Sequence, residues 1–129
     1  MNIAVRKQET VPLTVLVLED EPLIALDLQF ALEDRGAQVH LAGSCDEAHT
    51  LLQDLAFDAA VLDVNLGRGR TCEKVATSLR DRGIPFILHT GDLDRQGETL
   101  RSMNALVVPK PTPADMVAQA LYHQLDQQG

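Results

Sequence analysis

Aromatic residues make up only 3% of this chain, so its core has to be aliphatic, drawn from the Ala, Leu and Val that dominate the 45% hydrophobic content. Long apolar runs are also missing. None approaches the ~20 residues that a membrane-spanning helix needs. The first residues carry no apolar stretch of the secretory-signal kind. Cysteine is scarce, and Cys45 and Cys72 have neither metal-ligand nor redox spacing, so reduced thiols in a cytoplasmic protein are expected. Positive charge is short: 11 Lys and Arg stand against 19 Asp and Glu, for a net charge of -8 and a pI near 4.8. That balance argues against direct nucleic-acid binding and against a polybasic membrane contact. No fixed-period repeat is visible.

What is present fits one domain, with 129 residues and an ordinary 23% of charged residues. Residues 1–12 are polar and mixed and read as an N-terminal extension, leaving 13–129 as the domain. The chain is organised around Ala59-Ala60-Val61-Leu62-Asp63, four small or apolar residues running into a carboxylate. A short run bounded by Gly67-Arg68-Gly69 reads as a strand buried on both faces. Asp63 then lies at the strand's carboxyl end, the edge where open α/β sheets bind ligands. Val15 to Leu18 leads in the same way into Glu19-Asp20-Glu21, and Leu106 to Val108 into Pro109-Lys110-Pro111. Parallel neighbours would bring these acids and the lysine together as a site for a divalent cation and a phosphoryl group.

Taken in order, strand one is expected over Leu13–Leu18, and Pro22 suits the first helical position. Ile24, Leu28, Ala31 and Leu32 recur at helical spacing, and Gly36 ends the helix. Gln38–Ala42 alternates, with Val39 and Leu41 on one side, as an edge strand does. Ser44 and Glu47 form a capping box, followed by Ala48, Leu51, Leu52 and Leu55 on one face. After Asp63, a helix is expected near Thr71–Arg82 with Val75, Ala76 and Leu79 inward. Phe86–Leu88 is the fourth strand, closing on His89 and Thr90. A thin-faced helix follows near Asp94–Met103, then a fifth strand over Ala105–Val108. Thr112 and Pro113 open a last helix that buries Val117, Leu121 and Leu125. Strand and helix alternate five times, which favours a doubly wound parallel sheet.

The acidic pair after strand one, Asp63 after strand three, Thr90 after strand four and Lys110-Pro111 after strand five resemble the receiver domain of a two-component response regulator. The resemblance covers about Leu13 to Gln124. It implies a flavodoxin-like α/β fold, (βα)5, with a five-stranded sheet in the order 2-1-3-4-5. Asp63 would be the phosphoacceptor, taking a phosphoryl group from a histidine kinase or phosphotransfer protein. Glu19, Asp20, Asp63 and the backbone carbonyl of Asn65 would hold Mg²⁺. Lys110 would pair with Asp63 and then with the phosphoryl oxygens, across a cis Lys110–Pro111 bond. Thr90 would hydrogen-bond the phosphoryl group and couple it to a conformational shift. No enzyme activity beyond the protein's own phosphorylation and dephosphorylation is implied. Asp63-Val64-Asn65-Leu66 and the run from Pro85 to Gly91 further resemble stand-alone bacterial receivers with a Phe-x-x-x-Thr-Gly signature. Such a receiver would act by contact with a downstream protein or by homodimerisation, and Asp92, Leu93, Leu100 and Met103 are the candidate contact positions.

The chain departs from the pattern at three places. Val107 stands where many receivers carry an aromatic switch residue, Gly67 where many carry proline, and Glu19 where many carry aspartate. Asn65 and Asp92 match the positions that tune self-dephosphorylation, and their polarity implies a phosphoryl lifetime on the order of minutes or less.

Simpler readings stand beside these. Asp63 could be only a strand-end acid or helix cap. Glu19-Asp20-Glu21 could serve only the first helix's dipole. His40, His49, His89 and His123 read as packed or solvated histidines, although His89 flanks the site. Leu26 and Phe30 are either buried against the last helix or form a partner surface. A non-phosphorylated pseudo-receiver keeps the fold without the chemistry. Phosphatases resembling haloacid dehalogenases use Asp-x-Asp, where Asn65 takes the second place here.

Overall fold

The structure, a computed structural model, describes residues 12–63, 73–91 and 104–128. The strands are β1 (Thr14–Leu18), β2 (Gln38–Ala42), β3 (Ala59–Leu62), β4 (Phe86–Thr90) and β5 (Leu106–Pro109). They form one parallel sheet in the order β2-β1-β3-β4-β5. The described helices are α1 (Pro22–Glu33), α2 (Cys45–Asp54), α3 (Glu73–Asp81) and α4 (Ala114–Gln128). The order is the one the resemblance implies, and the described elements follow the alternation expected from the sequence. The helix expected near Asp94–Met103, the Gly67–Gly69 loop, Cys72 and the extension before Pro12 lie outside the described residues.

Two-residue periodicity along the strands divides the core into two layers. Leu16, Leu18, Ala60, Leu62, Phe86 and Leu88 join α2 and α3 through Ala48, Leu52, Val75, Ala76 and Leu79. Val15, Val17, Ala59, Val61, Ile87 and Val108 join α1 and α4 through Leu28, Leu32, Val117, Ala118 and Leu121. With helices over both faces, the central strands have no solvent side, which is why they read as unbroken apolar runs.

Helix ends follow local chemistry. Pro22 is in the first turn of α1, and Gly36 terminates it with φ of +92°, a left-handed conformation that favours glycine. At α2 the Ser44 hydroxyl accepts from the Glu47 N–H at 3.2 Å. The Glu47 carboxylate reaches back to the N–H of Gly43 at 2.6 Å, one residue earlier than in a standard capping box.

Several expectations need correction. β2 is the edge strand its alternation predicts, so Leu41 is 36% exposed while Val39 and Ala42 pack on the core. Leu55 is 39% exposed, because α2 stops at Asp54 and Leu55 takes an extended conformation at its cap. β4 continues through His89 and Thr90, and β5 starts one residue late, at Leu106. Leu26 and Phe30 are not covered by the last helix. With Leu23 they form an exposed apolar stripe along α1, at 41%, 60% and 78% respectively.

This division predicts two different costs. Leu28→Ala, at 1% exposure, loses about 2–5 kcal/mol of unfolding free energy in urea titrations. Phe30→Ala, on the solvent side of the same helix, loses less than about 1 kcal/mol. Equal losses would contradict the two-layer assignment.

Candidate functional site

The site forms where β1, β3, β4 and β5 end. Backbone hydrogen bonds extend the sheet by one residue beyond the strands and fix three of the side chains. The Glu19 N–H donates to the Ala42 carbonyl at 2.9 Å, that of Asp63 to Leu18 at 2.8 Å, and that of Lys110 to Thr90 at 2.9 Å. Side chains distant in sequence thus emerge from one edge at set heights.

The Lys110 ammonium lies 2.9 Å from Glu19 Oε1 and 3.1 Å from Asp63 Oδ2, donating a hydrogen bond to Asp63. Glu19, Asp20 and Asp63 present oxygens that all lie within 4.8 Å of one another. Glu19 and Asp63 are each 3% exposed, whereas Asp20 is open to solvent. Glu19 Oε2 accepts from the Glu21 N–H at 3.1 Å. Glu19 Oε1 is buried with no hydrogen bond, its contact with Lys110 being an ion pair outside hydrogen-bonding geometry. Thr90 is fully buried at the end of β4. The Lys110–Pro111 bond is cis. Gly91 lies against the lysine stem, where an added Cβ would be 3.5 Å from Lys110 Cβ.

Electrostatics follow from this crowding. Burial, opposed by the adjacent Lys110 ammonium and reinforced by the Asp63 charge, raises Glu19 from an ordinary 4.5 to about 7. An ion pair would normally lower a carboxyl group, so burial beside a second carboxylate outweighs it here. Burial works to lower Lys110, but Glu19 and Asp63 overcome it and hold the ammonium above its ordinary value. The donor set suits a hard cation: carboxylate oxygens in one cluster, one of them buried without a hydrogen bond. Glu19, Asp20 and Asp63 therefore fit Mg²⁺. The Asn65 carbonyl expected to join them lies outside the described residues, as does Asp92.

Sequence reasoning paired Lys110 with Asp63 and missed its closer contact with Glu19, for which no signal exists in the sequence. It also left His89 as an ordinary packed histidine. His89 is 3% exposed, and neither ring nitrogen has a hydrogen-bond partner. Burial, with the Lys110 charge, lowers it from 6.5 to about 4. The available signal was its place as a lone titratable residue inside β4. Elsewhere, His40 meets Phe57 edge-on at 5.7 Å, and His123 contacts Gln127 at 3.0 Å on the surface.

A doubly wound parallel sheet with a carboxylate cluster and one lysine at its carboxyl edge defines a receiver-type α/β domain. No family model matches the chain. Its sequence is 36% identical over 116 residues to the alginate biosynthesis transcriptional regulatory protein AlgB of Pseudomonas syringae pv. tomato, across 87% of this chain but only 26% of that protein. It is 36% identical to SdrG from Sphingomonas melonis Fr1, whose solution structure covers 90% of this chain and 98% of that one with a TM-score of 0.75. A CheY-like response regulator receiver domain protein from Methanospirillum hungatei JF-1 shares the fold at a TM-score of 0.78 and 21% identity, over 92% of this chain and 97% of its own. The chain belongs to the response regulator receiver domains.

Glu19 and His89 have opposite effects on stability in metal-free buffer. Glu19, raised in the fold, adds stability that is complete below 4.5 and lost as pH rises through 7. His89, lowered in the fold, adds stability that is present above 6.5 and lost as pH falls through 4. Each shift is worth ~3 kcal/mol, so the two nearly cancel. Relative to the parent, His89→Leu should gain about 2–3 kcal/mol on acidification from about pH 7.5 to about pH 4.5, and Glu19→Gln should lose as much. Chemical denaturation across that range measures both. Parallel curves for the parent and both variants would show the assignment to be wrong.

Proposed function

We propose that this protein is a phosphorylatable receiver of two-component signalling. It takes a phosphoryl group from the phosphohistidine of a histidine kinase or phosphotransfer protein onto Asp63 and signals by altered protein contacts. One observation carries the reading: Lys110 spans Glu19 and Asp63 at 2.9 and 3.1 Å inside a three-carboxylate cluster. A merely structural strand-end acid has no need of a second buried carboxylate sharing its ammonium.

In this reading an Asp63 oxygen attacks the phosphorus, the O–P bond forms, the P–N bond breaks, and the imidazole of the donor leaves. Such transfers depend on positioning and charge neutralisation more than on covalent chemistry. Glu19, Asp20, Asp63 and the Asn65 carbonyl would hold Mg²⁺, which would supply neutralisation of the negative charge gathered at the site. Lys110 releases Asp63 and takes a phosphoryl oxygen, as a compact charge on a flexible stem can. The Thr90 hydroxyl donates to another oxygen and senses the roughly -1.5 to -2 charge added at pH 7. The exposed stripe of Leu23, Leu26 and Phe30 starts just after the acidic cluster, a suitable partner surface for either the phosphodonor or a target. The narrower likeness to stand-alone Phe-x-x-x-Thr-Gly receivers rests on the motif from Phe86 to Gly91. Among the described residues no helix is long and apolar enough to cross a membrane. The chain spans 26% of the length of the curated relatives, so their transcriptional output is not carried over.

The decisive experiment is phosphotransfer profiling against the host's histidine kinases, with acetyl phosphate as a kinase-free donor. One kinase should label the protein rapidly, and Asp63→Ala or excess chelator should abolish labelling by every donor. Lys110→Ala should keep Mg²⁺ binding but slow labelling by at least about tenfold, through loss of a charge-assisted contact. Beryllofluoride should bind only with Mg²⁺ and an intact Asp63. Labelling that persists in Asp63→Ala would end this reading, and failure of beryllofluoride to bind would favour a constitutive binding module with the same fold.

The label should decay with a half-life of about minutes or less in Mg²⁺ buffer. Asn65 and Asp92 are the residues credited with that rate. A half-life of many hours would remove them from the mechanism.

A further inference from the structure

The exposed stripe of Leu23, Leu26 and Phe30 lies on the side of α1 opposite Ala25, Leu28 and Leu32, which bury into the core. Its polar surroundings carry one sign of charge. Asp27, Glu33 and Asp34 are exposed, and α1 contains no lysine or arginine. The carboxyl end of a helix favours cations, yet this one closes on Glu33 and its cap Asp34. Arg35, the next residue, places its guanidinium over the Tyr122 ring of α4, 5.2 Å from the centroid. An occupant that suits this face is therefore apolar and basic. A second copy of the same face would set acids against acids.

A segment of that chemistry is tethered beside it. Residues 1–11 precede the described domain and hold Ile3, Val5, Arg6 and Lys7 against one acid, Glu9. The chain enters the sheet at the carboxyl end of α1. There the Ala37 N–H donates to the Leu32 carbonyl at 3.1 Å, and the next N–H, that of Gln38, donates to the Leu13 carbonyl at 2.7 Å. From Leu13 back to Ile3 an extended chain reaches up to about 33 Å, whereas the path round the helix and along it to Leu26 needs about 25 Å. The order of the side chains also matches. Moving back from Leu13, the basic pair comes before Val5 and Ile3; moving back from the end of α1, Asp34 and Glu33 come before Phe30 and Leu26.

We propose that residues 1–11 fold back along the solvent face of α1, with Ile3 and Val5 on Leu26 and Phe30, and Arg6 and Lys7 at Glu33 and Asp34. The tether makes the contact intramolecular, so modest attractions suffice to populate it. A partner that uses α1 has to displace the segment. The contact needs nothing from Asp63, so it stands or falls apart from the phosphotransfer reading.

NMR on the full isotope-labelled chain is the test. Nuclear Overhauser contacts should join the Ile3 and Val5 methyls to the Phe30 ring and persist on dilution. Arg6→Glu with Lys7→Glu should weaken them at least about threefold, and raising salt to about 0.5 M should weaken them in the parent. Adding Glu33→Lys and Asp34→Lys to the first pair should restore them, because the charges are then exchanged rather than opposed. Glu33 and Asp34 are exposed, and circular dichroism should show the parent fold throughout. Absence of these contacts in the parent, contacts found only between differently labelled molecules, indifference to the first charge reversal, or no recovery on the exchange would each overturn the proposal.

Discussion

Two buried carboxylates on adjacent strands share one ammonium, and the rest of the edge is arranged around that fact. β1 and β3 are neighbours, so the residues that follow them are held side by side. Glu19 and Asp63 would repel strongly in so dry a place. Lys110 arrives from β5, two strands away from β3, because the chain crosses over twice before returning to the same edge. Its charge offsets the repulsion, but burial, with the Asp63 charge as a smaller contribution, still raises the proton affinity of Glu19. The resting site therefore holds more negative charge than it can neutralise. That is a reason for it to accept a cation, since ligand oxygens must be deprotonated to bind one and a proton on Glu19 competes directly.

The fold was legible because burial on both faces leaves a simple trace in sequence. Val15 to Leu18, Ala59 to Leu62 and Phe86 to Leu88 are unbroken apolar runs, and each is followed by punctuation that ends it. Gly36 and Gly83 mark turns with φ of +92° and +72°, values that other residues rarely adopt. The reading erred where an apolar side chain faced solvent. Leu41, Leu55, Leu26 and Phe30 satisfy a periodic pattern, but periodicity cannot say whether a neighbouring element covers that face. Leu55 fails for another reason: its helix ends one residue before it.

The site was legible for a related reason. Acids, a threonine and a lysine at the ends of four strands converge in any parallel sheet of this order, whatever their rotamers. Pairing within the cluster was not legible. Whether Lys110 turns to Glu19 or Asp63 depends on side-chain reach across two strands, and it turns to both. The longer glutamate, which departs from the aspartate usual at this place, gains a backbone contact through Glu21 and holds Oε1 toward the lysine.

His89 and Thr90 are consecutive buried residues on one strand, and successive strand residues face opposite layers. Ile87 belongs to the α1 and α4 layer, so His89, two residues on, lies on that side as well. An aliphatic residue there would complete the layer and cost nothing in desolvation. The histidine instead leaves two nitrogens without partners and a cavity beside them. A penalty of about 1–3 kcal/mol for an unsatisfied buried group is a large fraction of a small domain's stability. Packing alone gives no account of that cost, because Leu at the same position would pack better. A catalytic role would require His89 to face the carboxylates rather than the α1 layer, where its neighbour Ile87 packs.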